Sequence, residues 1–117
     1  MSIIRKQTDE RVSRIVIHNE TVYLCGQVPH DVNEDMAGQT KSVLARIDEH
    51  LAEAGTDNTK ILSALIHVKD NKDVPTFNAL WNEWLPMGSA PARTCVQSTM
   101  VSDEVLVEVP VTAAPVP

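Results

Sequence analysis

Residues 61–69, ILSALIHVK, decide the fold predicted from this sequence, because both alternating faces of this segment are largely apolar. Successive side chains of a strand point to opposite faces of its sheet. One face of the strand would carry Leu62, Ala64, Ile66 and Val68. The other face would carry Ile61, Ser63, Leu65 and His67. A strand with two apolar faces lies inside a sheet that is covered on both sides.

Two amphipathic helices flank this strand in the sequence and can cover one face of its sheet. Apolar side chains at 3–4-residue spacing predict a helix over residues 36–54, with Gly55 as its stop. A second helix is predicted over residues 74–86, with Asp73 as its N-cap and Pro75 in its first turn. The apolar stripe of the second helix consists of Val74, Phe77, Leu80, Trp81 and Trp84.

Five further segments are apolar and β-branched enough to form strands. They are residues 2–6, 12–18, 21–26, 92–99 and 104–113. The second and third are separated by Asn19-Glu20, which indicates a hairpin. Pro110 has no N–H to donate, so we expect its part of the last strand to lie at an edge or a bulge.

The resulting element order, β-β-β-α-β-α-β-β, predicts an α+β domain in which two helices cover one face of a mixed sheet. Residues 1–117 suffice for a single domain, with residue 1 and the tail AAPVP at 113–117 as frayed ends. The strand at 61–69 makes the opposite sheet face too apolar to be left in water. The sequence therefore predicts an oligomer in which a second subunit covers that face.

The charge balance excludes some classes of function. Ten Lys and Arg residues against sixteen Asp and Glu residues give a formal charge of −6. Nucleic-acid binding depends on neutralising phosphates with basic side chains, so neither nucleic acid nor an anionic membrane surface is an expected partner. No apolar run is long enough to span a bilayer, and MSIIRKQTDE lacks the apolar region of a secretory signal. We therefore expect a cytoplasmic protein.

The cysteines and histidines show no metal-binding spacing. Cys25 and Cys95 are far apart and form no CxxC pair, which predicts free thiols in a reducing compartment. The four histidines form neither HxH nor HExxH, so we predict no metal site.

Two charged residues interrupt segments that otherwise resemble buried strands. In APARTCVQ, at 90–97, Arg93 shares a face with Cys95 and Gln97; it is either an edge arginine or a clamp for a carboxylate. In VLVEVPV, Glu108 lies opposite the valines and is either solvated or an acid/base group in a cleft. Neighbouring strands could hold these two side chains near each other. Gly26, at a strand end, marks a bulge or a close approach of a ligand to the backbone.

Four separated pieces of the sequence resemble the Rid family, the reactive intermediate deaminases once called the YjgF family. The pieces are YLCGQVP at 23–29, the helix and strand through IHVKD at 66–70, DVPTFNALWNEWL at 73–85, and PARTCVQ at 91–97 with LVEV at 106–109. The resemblance extends over roughly residues 20–113. Its signature is Pro-Ala-Arg followed about a dozen residues later by an apolar-Glu-apolar strand.

The resemblance implies a fold, an assembly and a reaction. The fold would be the chorismate-mutase-like α+β domain, assembled as a homotrimer with a barrel core and clefts between subunits. The reaction would be hydrolysis of reactive imines and enamines, such as 2-aminoacrylate, to 2-ketoacids and ammonia. The partner would be a small imino or keto acid, and neither a cofactor nor a metal would be required.

The resemblance also implies roles for individual residues. Arg93 would hold the substrate carboxylate, and Glu108 would position or activate the attacking water. Further substrate contacts would involve Gly26 with Gln27, Asn78, and Cys95, beside which main-chain groups meet the substrate. Cys25 stands where the best-studied branch has Ser, and Val12-Ser13-Arg14 lacks the Tyr found there. This chain therefore resembles a sister branch, with its own pocket at the end that binds the substrate side chain.

Two other functions compete with an imine deaminase. The same clefts in a non-catalytic module would bind small carboxylates or a partner protein, an alternative that the departures at Cys25 and Val12 favour. Endoribonuclease activity or inhibition of translation has been attached to some relatives of this type. The charge of −6 and the absence of a basic patch in the sequence argue against both of these activities here.

Overall fold

The computed structural model, which describes residues 2–116, is a six-stranded mixed sheet with two helices packed on one face. The strands run in the order β1-β2-β3-β6-β4-β5, and among these neighbours only β4 and β5 are parallel. The elements are β1 (Ile4–Thr8), β2 (Ser13–His18), β3 (Thr21–Gln27), α1 (Met36–Glu53), β4 (Ile61–Val68), α2 (Val74–Trp84), β5 (Ala92–Gln97) and β6 (Val107–Ala113). The predicted α+β class and element order are confirmed. The first strand begins two residues later than predicted, and the last begins three residues later.

Both ends of α1 are stabilised by residues recognisable in the sequence. The carboxylate of Asp35 accepts a hydrogen bond from the backbone N–H of Gly38 at 2.9 Å, which satisfies one free donor at the helix start. Gly55 follows the helix with φ of +82°, a conformation that favours glycine. This turn lets the N–H of Thr56 donate to the carbonyl of Leu51 at 2.9 Å, as in a Schellman motif.

The start of α2 differs from the prediction in one respect. Asp73 occupies the N-cap position, but its side chain makes no capping hydrogen bond. A short 3-10 turn over Asn71–Asp73 leads directly into the helix, and the side chain of Asp70 accepts from the N–H of Lys72 in that turn. The predicted apolar stripe is correct, because Phe77 and Trp81 are buried in the core.

Neither α1 nor α2 has the length and hydrophobicity needed to span a bilayer.

The central strand β4 contains a bulge that corrects the predicted alternation of its side chains. Its pairing with β6 shifts between Ile61 and Ser63, so Ile61 is buried and Leu62 is 52% exposed, the reverse of an unbroken alternation. Beyond the bulge the prediction holds, and three side chains enter the core beneath the helices: Ala64, Ile66 and Val68. The sheet face away from the helices, here called the open face, carries Tyr23, Leu65, Thr94, Val96 and Glu108.

A second bulge lies where β3 meets β6. The register moves from Leu24 opposite Val111 to Gln27 opposite Val109, which leaves one extra residue on β3. Pro110 lies between the two β6 positions, so its missing N–H falls at the irregularity in the ladder. Of the two positions expected for Pro110, the structure shows the bulge. The strand β6 is not an edge strand, because it has β3 on one side and β4 on the other.

The end of the chain is more ordered than the predicted frayed tail. Ala113 is the last residue of β6 and is fully buried. The N–H of Ala114 donates to the carbonyl of Lys60 at 2.8 Å, and its own carbonyl accepts from the hydroxyl of Thr56 at 2.7 Å. The prediction of fraying is therefore wrong for residues 113 and 114, and for residues 1 and 117 it lies outside the described part.

Replacement of Ile66 by Ala tests whether β4 forms the centre of the core. Ile66 is fully buried, so Ile66→Ala is expected to lower the free energy of unfolding by about 2–5 kcal/mol, through lost burial and a residual cavity. Val101 is fully exposed, and Val101→Ala is the matched apolar control, with an expected change within about 0.5 kcal/mol. Urea unfolding at one protein concentration compares the three proteins. Equal midpoints would contradict the assignment of the core.

Candidate functional site

Arg93 lies on the helix side of edge strand β5, opposite Ala64 of β4. One terminal nitrogen of its guanidinium donates a hydrogen bond to Oδ1 of Asn78 on α2 at 2.7 Å. The guanidinium carbon also lies 5.7 Å from the ring centroid of Phe77 and 5.5 Å from that of Trp81, within the range of cation–π attraction. These groups, here called the arginine site, hold the charged end of Arg93 in a fixed orientation at the sheet edge.

No carboxylate of the described chain neutralises Arg93. Within residues 2–116, the ion pairs join Arg14 to Asp9 and Lys72 to Asp70. A guanidinium has five N–H donors, and its planar fork matches a carboxylate bidentately. Asn78 uses one donor and adds no charge, so within residues 2–116 the charge of Arg93 is not neutralised by an ion pair. Arg93 lies on an edge strand, as one of the two alternatives from the sequence has it, and its role as a carboxylate clamp stays a prediction.

Cys95 shares the helix-facing side of β5 with Arg93, as predicted from the alternation, and packs partly buried against the core beside Ile66. Its thiol faces inward among apolar side chains. The strand β5 is an edge strand, so half of its backbone N–H and C=O groups point away from β4 and have no strand partner in this chain. These free backbone groups beside Arg93 are the ones that a ligand could meet.

Glu108 lies in a different place, in a cleft of about 430 Å³ at the bulge between β3 and β6. The cleft, here called the glutamate cleft, is lined by Val12, Arg14, Cys25, Gly26, Gln27, Val28, Arg46 and Glu108. Arginine and cysteine side chains thus surround the one carboxylate that lines it. The cleft combines groups from three strands or their ends with one side chain from α1.

Gly26 is required by the position of Glu108. A Cβ atom at residue 26 would overlap Oε2 of Glu108 and lie only 2.9 Å from its Cδ. The carboxylate therefore rests against the bare backbone of the bulge, and any other residue at 26 would displace it. The bulge predicted at Gly26 is present, and the group close to its backbone is the side chain of Glu108; the approach of a ligand to this backbone stays a prediction.

Cys25 has a thiol that stays protonated at neutral pH. Burial raises its pKa, and the charge of Glu108 adds to this, whereas the charges of Arg14 and Arg46 lower the pKa by less than burial raises it. The side chain of Gln27 donates to the carbonyl of Cys25 at 2.9 Å, which steadies the bulge. Cys25 is a free cysteine, as is Cys95. Its place in the cleft suits packing against a ligand and does not favour nucleophilic attack.

A single chain does not bring Arg93 and Glu108 together, which corrects the expectation from neighbouring strands. The strand β4 lies between β5 and β6, and Arg93 is opposite Ala64 whereas Glu108 is opposite His67. The two residues are therefore separated by two strand spacings and by three residues along the strands, about 10 Å in each direction. They also lie on opposite faces of the sheet. The predicted site residues form two half-sites, one around Arg93 and one around Glu108.

Sequence reasoning missed one residue of the glutamate cleft and misjudged another. Arg46 belongs to the polar face of the predicted helix 36–54, where a charged side chain carries no signal of function. In the sequence, Arg14 is notable only as part of a segment that lacks the Tyr found in the best-studied branch. The sequence signal that could have found both arginines is the bulge in β3. Only when that bulge is recognised does the sequence place them near Cys25 and Glu108. Within residues 2–116, no group of three or more His, Cys, Asp and Glu side chains has the arrangement of a metal site.

Comparison with known proteins places this architecture in a family. A family model described as Endoribonuclease L-PSP matches residues 5–115. Protein YoaB of Escherichia coli, a RutC family protein, is 37% identical over 114 residues, which cover 97% of this chain and 99% of YoaB. The crystal structure of NMB1025 from Neisseria meningitidis, a member of the YjgF protein family, has a TM-score of 0.97 and 38% identity, with 100% of this chain and 98% of that chain covered.

A further relative is described by an activity. The 3-aminoacrylate deaminase RutC of Acinetobacter baylyi is 34% identical over 94 residues, which cover 75% of this chain and 74% of that protein. The fold and the two polar half-sites define a small α+β domain of the YjgF type. The chain belongs to the Endoribonuclease L-PSP family, the Rid-type family that the four sequence motifs predict.

The protonation state of Cys25 leads to a prediction about its reactivity. Because burial raises the pKa of this thiol, alkylation of Cys25 by iodoacetamide is expected to follow a pH profile displaced upward from that of the same cysteine in the unfolded chain. Mass spectrometry of the Cys25 peptide, with the Cys25→Ser variant to assign it, gives the profile. A midpoint below that of the unfolded chain would show that the two arginines outweigh burial and would contradict this account.

Proposed function

We propose that the protein is an enamine and imine deaminase, a hydrolase of C–N bonds that converts reactive 2-imino acids to 2-ketoacids and ammonia. The observation that carries this proposal is the guanidinium of Arg93, held by Asn78 and two aromatic rings without an acidic partner in the described chain. A 2-imino acid has a carboxylate adjacent to its reactive carbon. A fixed arginine therefore orients the group that reacts.

The reaction requires one water and little else. The imine carbon is electrophilic, and addition of water gives a tetrahedral carbinolamine as the C=N double bond becomes single. Glu108 is suited to accept a proton from that water and to return it to nitrogen. The proton of the new hydroxyl group then passes by way of Glu108 to the nitrogen, the C–N bond breaks as the carbonyl forms, and ammonia leaves. The proton balance closes between water, Glu108 and the nitrogen, with no redox change.

The two half-sites come together, in this proposal, between copies of the chain. The open face carries apolar side chains that are substantially exposed in one copy, among them Tyr23 at 47% and Leu65 and Val96 at 39% each. Such a surface favours association. We propose a homotrimer with the open faces around a barrel core, in which the edge of β5 in one copy adjoins the glutamate cleft of the next.

Two further observations support a deaminase over the alternatives. The relative from Acinetobacter is described as a 3-aminoacrylate deaminase; that substrate is also an enamine with a carboxylate, although its nitrogen is one carbon further from the carboxylate than in 2-aminoacrylate. The formal charge of −6 disfavours RNA as the substrate, although the family description refers to an endoribonuclease. We place the activity in the cytoplasm, where the imines of amino-acid metabolism arise.

Two variants test the proposed roles of Arg93 and Glu108. Arg93→Lys keeps the charge but loses the planar fork, and Glu108→Gln loses the proton acceptor; each is expected to lower kcat/KM about 100-fold or more. The assay generates imines in situ with an amino-acid oxidase and follows their loss against spontaneous hydrolysis. Glu49→Gln, on the exposed side of α1, is the matched control and should retain wild-type activity. Circular dichroism verifies that each variant is folded.

Three results would contradict the proposal in different ways. Equal rates with and without the protein for several imines would exclude the deaminase and leave the module that only binds small carboxylates. Calorimetry with 2-ketoacids would then identify that alternative. Full activity in folded Arg93→Lys would exclude the bidentate clamp, and full activity in Glu108→Gln would exclude Glu108 as the proton acceptor.

A further inference from the structure

We propose that Arg46, assisted by Arg14, forms a second carboxylate-binding subsite in the glutamate cleft, so that the preferred substrates are 2-imino acids with an acidic side chain. This inference rests on the proposed deaminase function and specifies its substrate class. Arg93 would hold the α-carboxylate, and Arg46 would bind the carboxylate at the far end of the substrate.

The first observation is the unsatisfied state of the Arg46 guanidinium. Its Nε is buried, yet within the described chain it has no hydrogen-bond partner. One terminal nitrogen lies 3.4 Å from Nδ1 of His30, at the limit of a hydrogen bond. The chain therefore leaves this guanidinium incompletely satisfied, and its terminal nitrogens are the donors that a ligand in the cleft could reach.

The second observation is the excess of positive charge in the cleft. The charged side chains that line it are Arg14, Arg46 and Glu108, two guanidiniums against one carboxylate. The carboxylate of Glu108 rests against the backbone of Gly26, and its negative charge is not within 4 Å of either arginine. Within residues 2–116, Arg46 has no ion pair at all. Asp9, outside the cleft, offsets the charge of Arg14, so the guanidinium that an anionic ligand group would neutralise is that of Arg46.

Arg14 is the weaker member of the pair. It is partly exposed and already bound to Asp9, with one terminal nitrogen 3.6 Å from a carboxylate oxygen. The same nitrogen is 3.4 Å from the carbonyl of Gln7. Arg14 nevertheless lines the cleft, and its charge reaches Cys25 together with that of Arg46, since both arginines lower the pKa of that thiol. We assign the direct contact to Arg46 and an electrostatic contribution to Arg14.

The chemistry of the cleft walls distinguishes acidic from apolar substrate side chains. An apolar chain placed against Arg46 would cover the terminal nitrogens of its guanidinium without giving them a hydrogen bond, and this desolvation is unfavourable. A carboxylate in the same place accepts from the guanidinium in the planar geometry that arginine favours. The arginines thus select for a negative charge at the end of the substrate side chain.

A matched pair of substrates isolates this effect. The imines of glutamate and norvaline have five carbons each and differ at the end of the chain, where a carboxylate replaces a methyl group. We expect wild-type kcat/KM to be at least about tenfold higher for the glutamate imine. Arg46→Met should lower kcat/KM for that imine by about 10- to 100-fold and should not lower it for the norvaline imine. Arg11→Met, an exposed arginine outside the cleft, should change neither.

A binding measurement keeps the inference testable if catalysis is absent. Calorimetry compares 2-oxoglutarate with 2-oxopentanoate, the keto acids of the same two skeletons. Tighter binding of 2-oxoglutarate that Arg46→Met abolishes would support the subsite even if no imine is hydrolysed, in which case only the proposed function would fail.

Two results would overturn the inference while the deaminase function stands. One is hydrolysis of both imines at rates that Arg46→Met leaves in the same ratio. The other is a change in oligomeric state on sedimentation of Arg46→Met, with equal losses for both imines. That second result would show that Arg46 pairs with a carboxylate of another copy and does not bind substrate.

Discussion

The alternation of side chains across a β-sheet is the constraint on which this account depends. Arg93 points towards the helices, where Asn78, Phe77 and Trp81 hold it, and Glu108 points to the open face. A sheet with a packed core on one side prevents these groups from meeting within one chain. The proposed chemistry uses both residues and therefore requires the edge of one sheet to meet the cleft of another.

The bulge at Gly26 has a comparable role for the glutamate cleft. One extra residue in β3 widens the ladder opposite Pro110, and the missing side chain at 26 makes room for the carboxylate of Glu108. Cys25 lies at the same irregularity and lines the cleft together with Arg14 and Arg46, whose charges lower the pKa of its thiol. A local departure from regular pairing thus creates a polar cleft on a sheet whose other face is filled by valines.

Much of the fold could be predicted from the sequence because it depends on local patterns. The spacing of apolar residues located both helices, and the apolar strand at 61–69 placed β4 in the interior of the sheet. The pattern failed at Ile61 and Leu62, because a bulge shifts the alternation without changing the composition. Strand order was beyond the pattern as well, since nothing local shows that β4 separates β5 from β6.

The sequence could single out the candidate residues but could not show how they are arranged. Arg93 and Glu108 were conspicuous because each interrupts an apolar strand. The hydrogen bond between Arg93 and Asn78 joins residues on different elements, and only tertiary packing shows it. Arg46 was inconspicuous for the opposite reason, since a charged residue on the polar side of a helix is ordinary until its neighbours are known.

The claim that two copies share one site is tested most directly by mixing inactive variants. Arg93→Lys and Glu108→Gln are co-expressed, and the mixed oligomers are assayed for imine hydrolysis. If Arg93 and Glu108 of each site come from different copies, random assembly restores both residues in about one quarter of the sites, and activity returns to about one quarter of the wild-type value. Activity that stays at the level of the separate variants, in oligomers shown to contain both chains, would contradict the account.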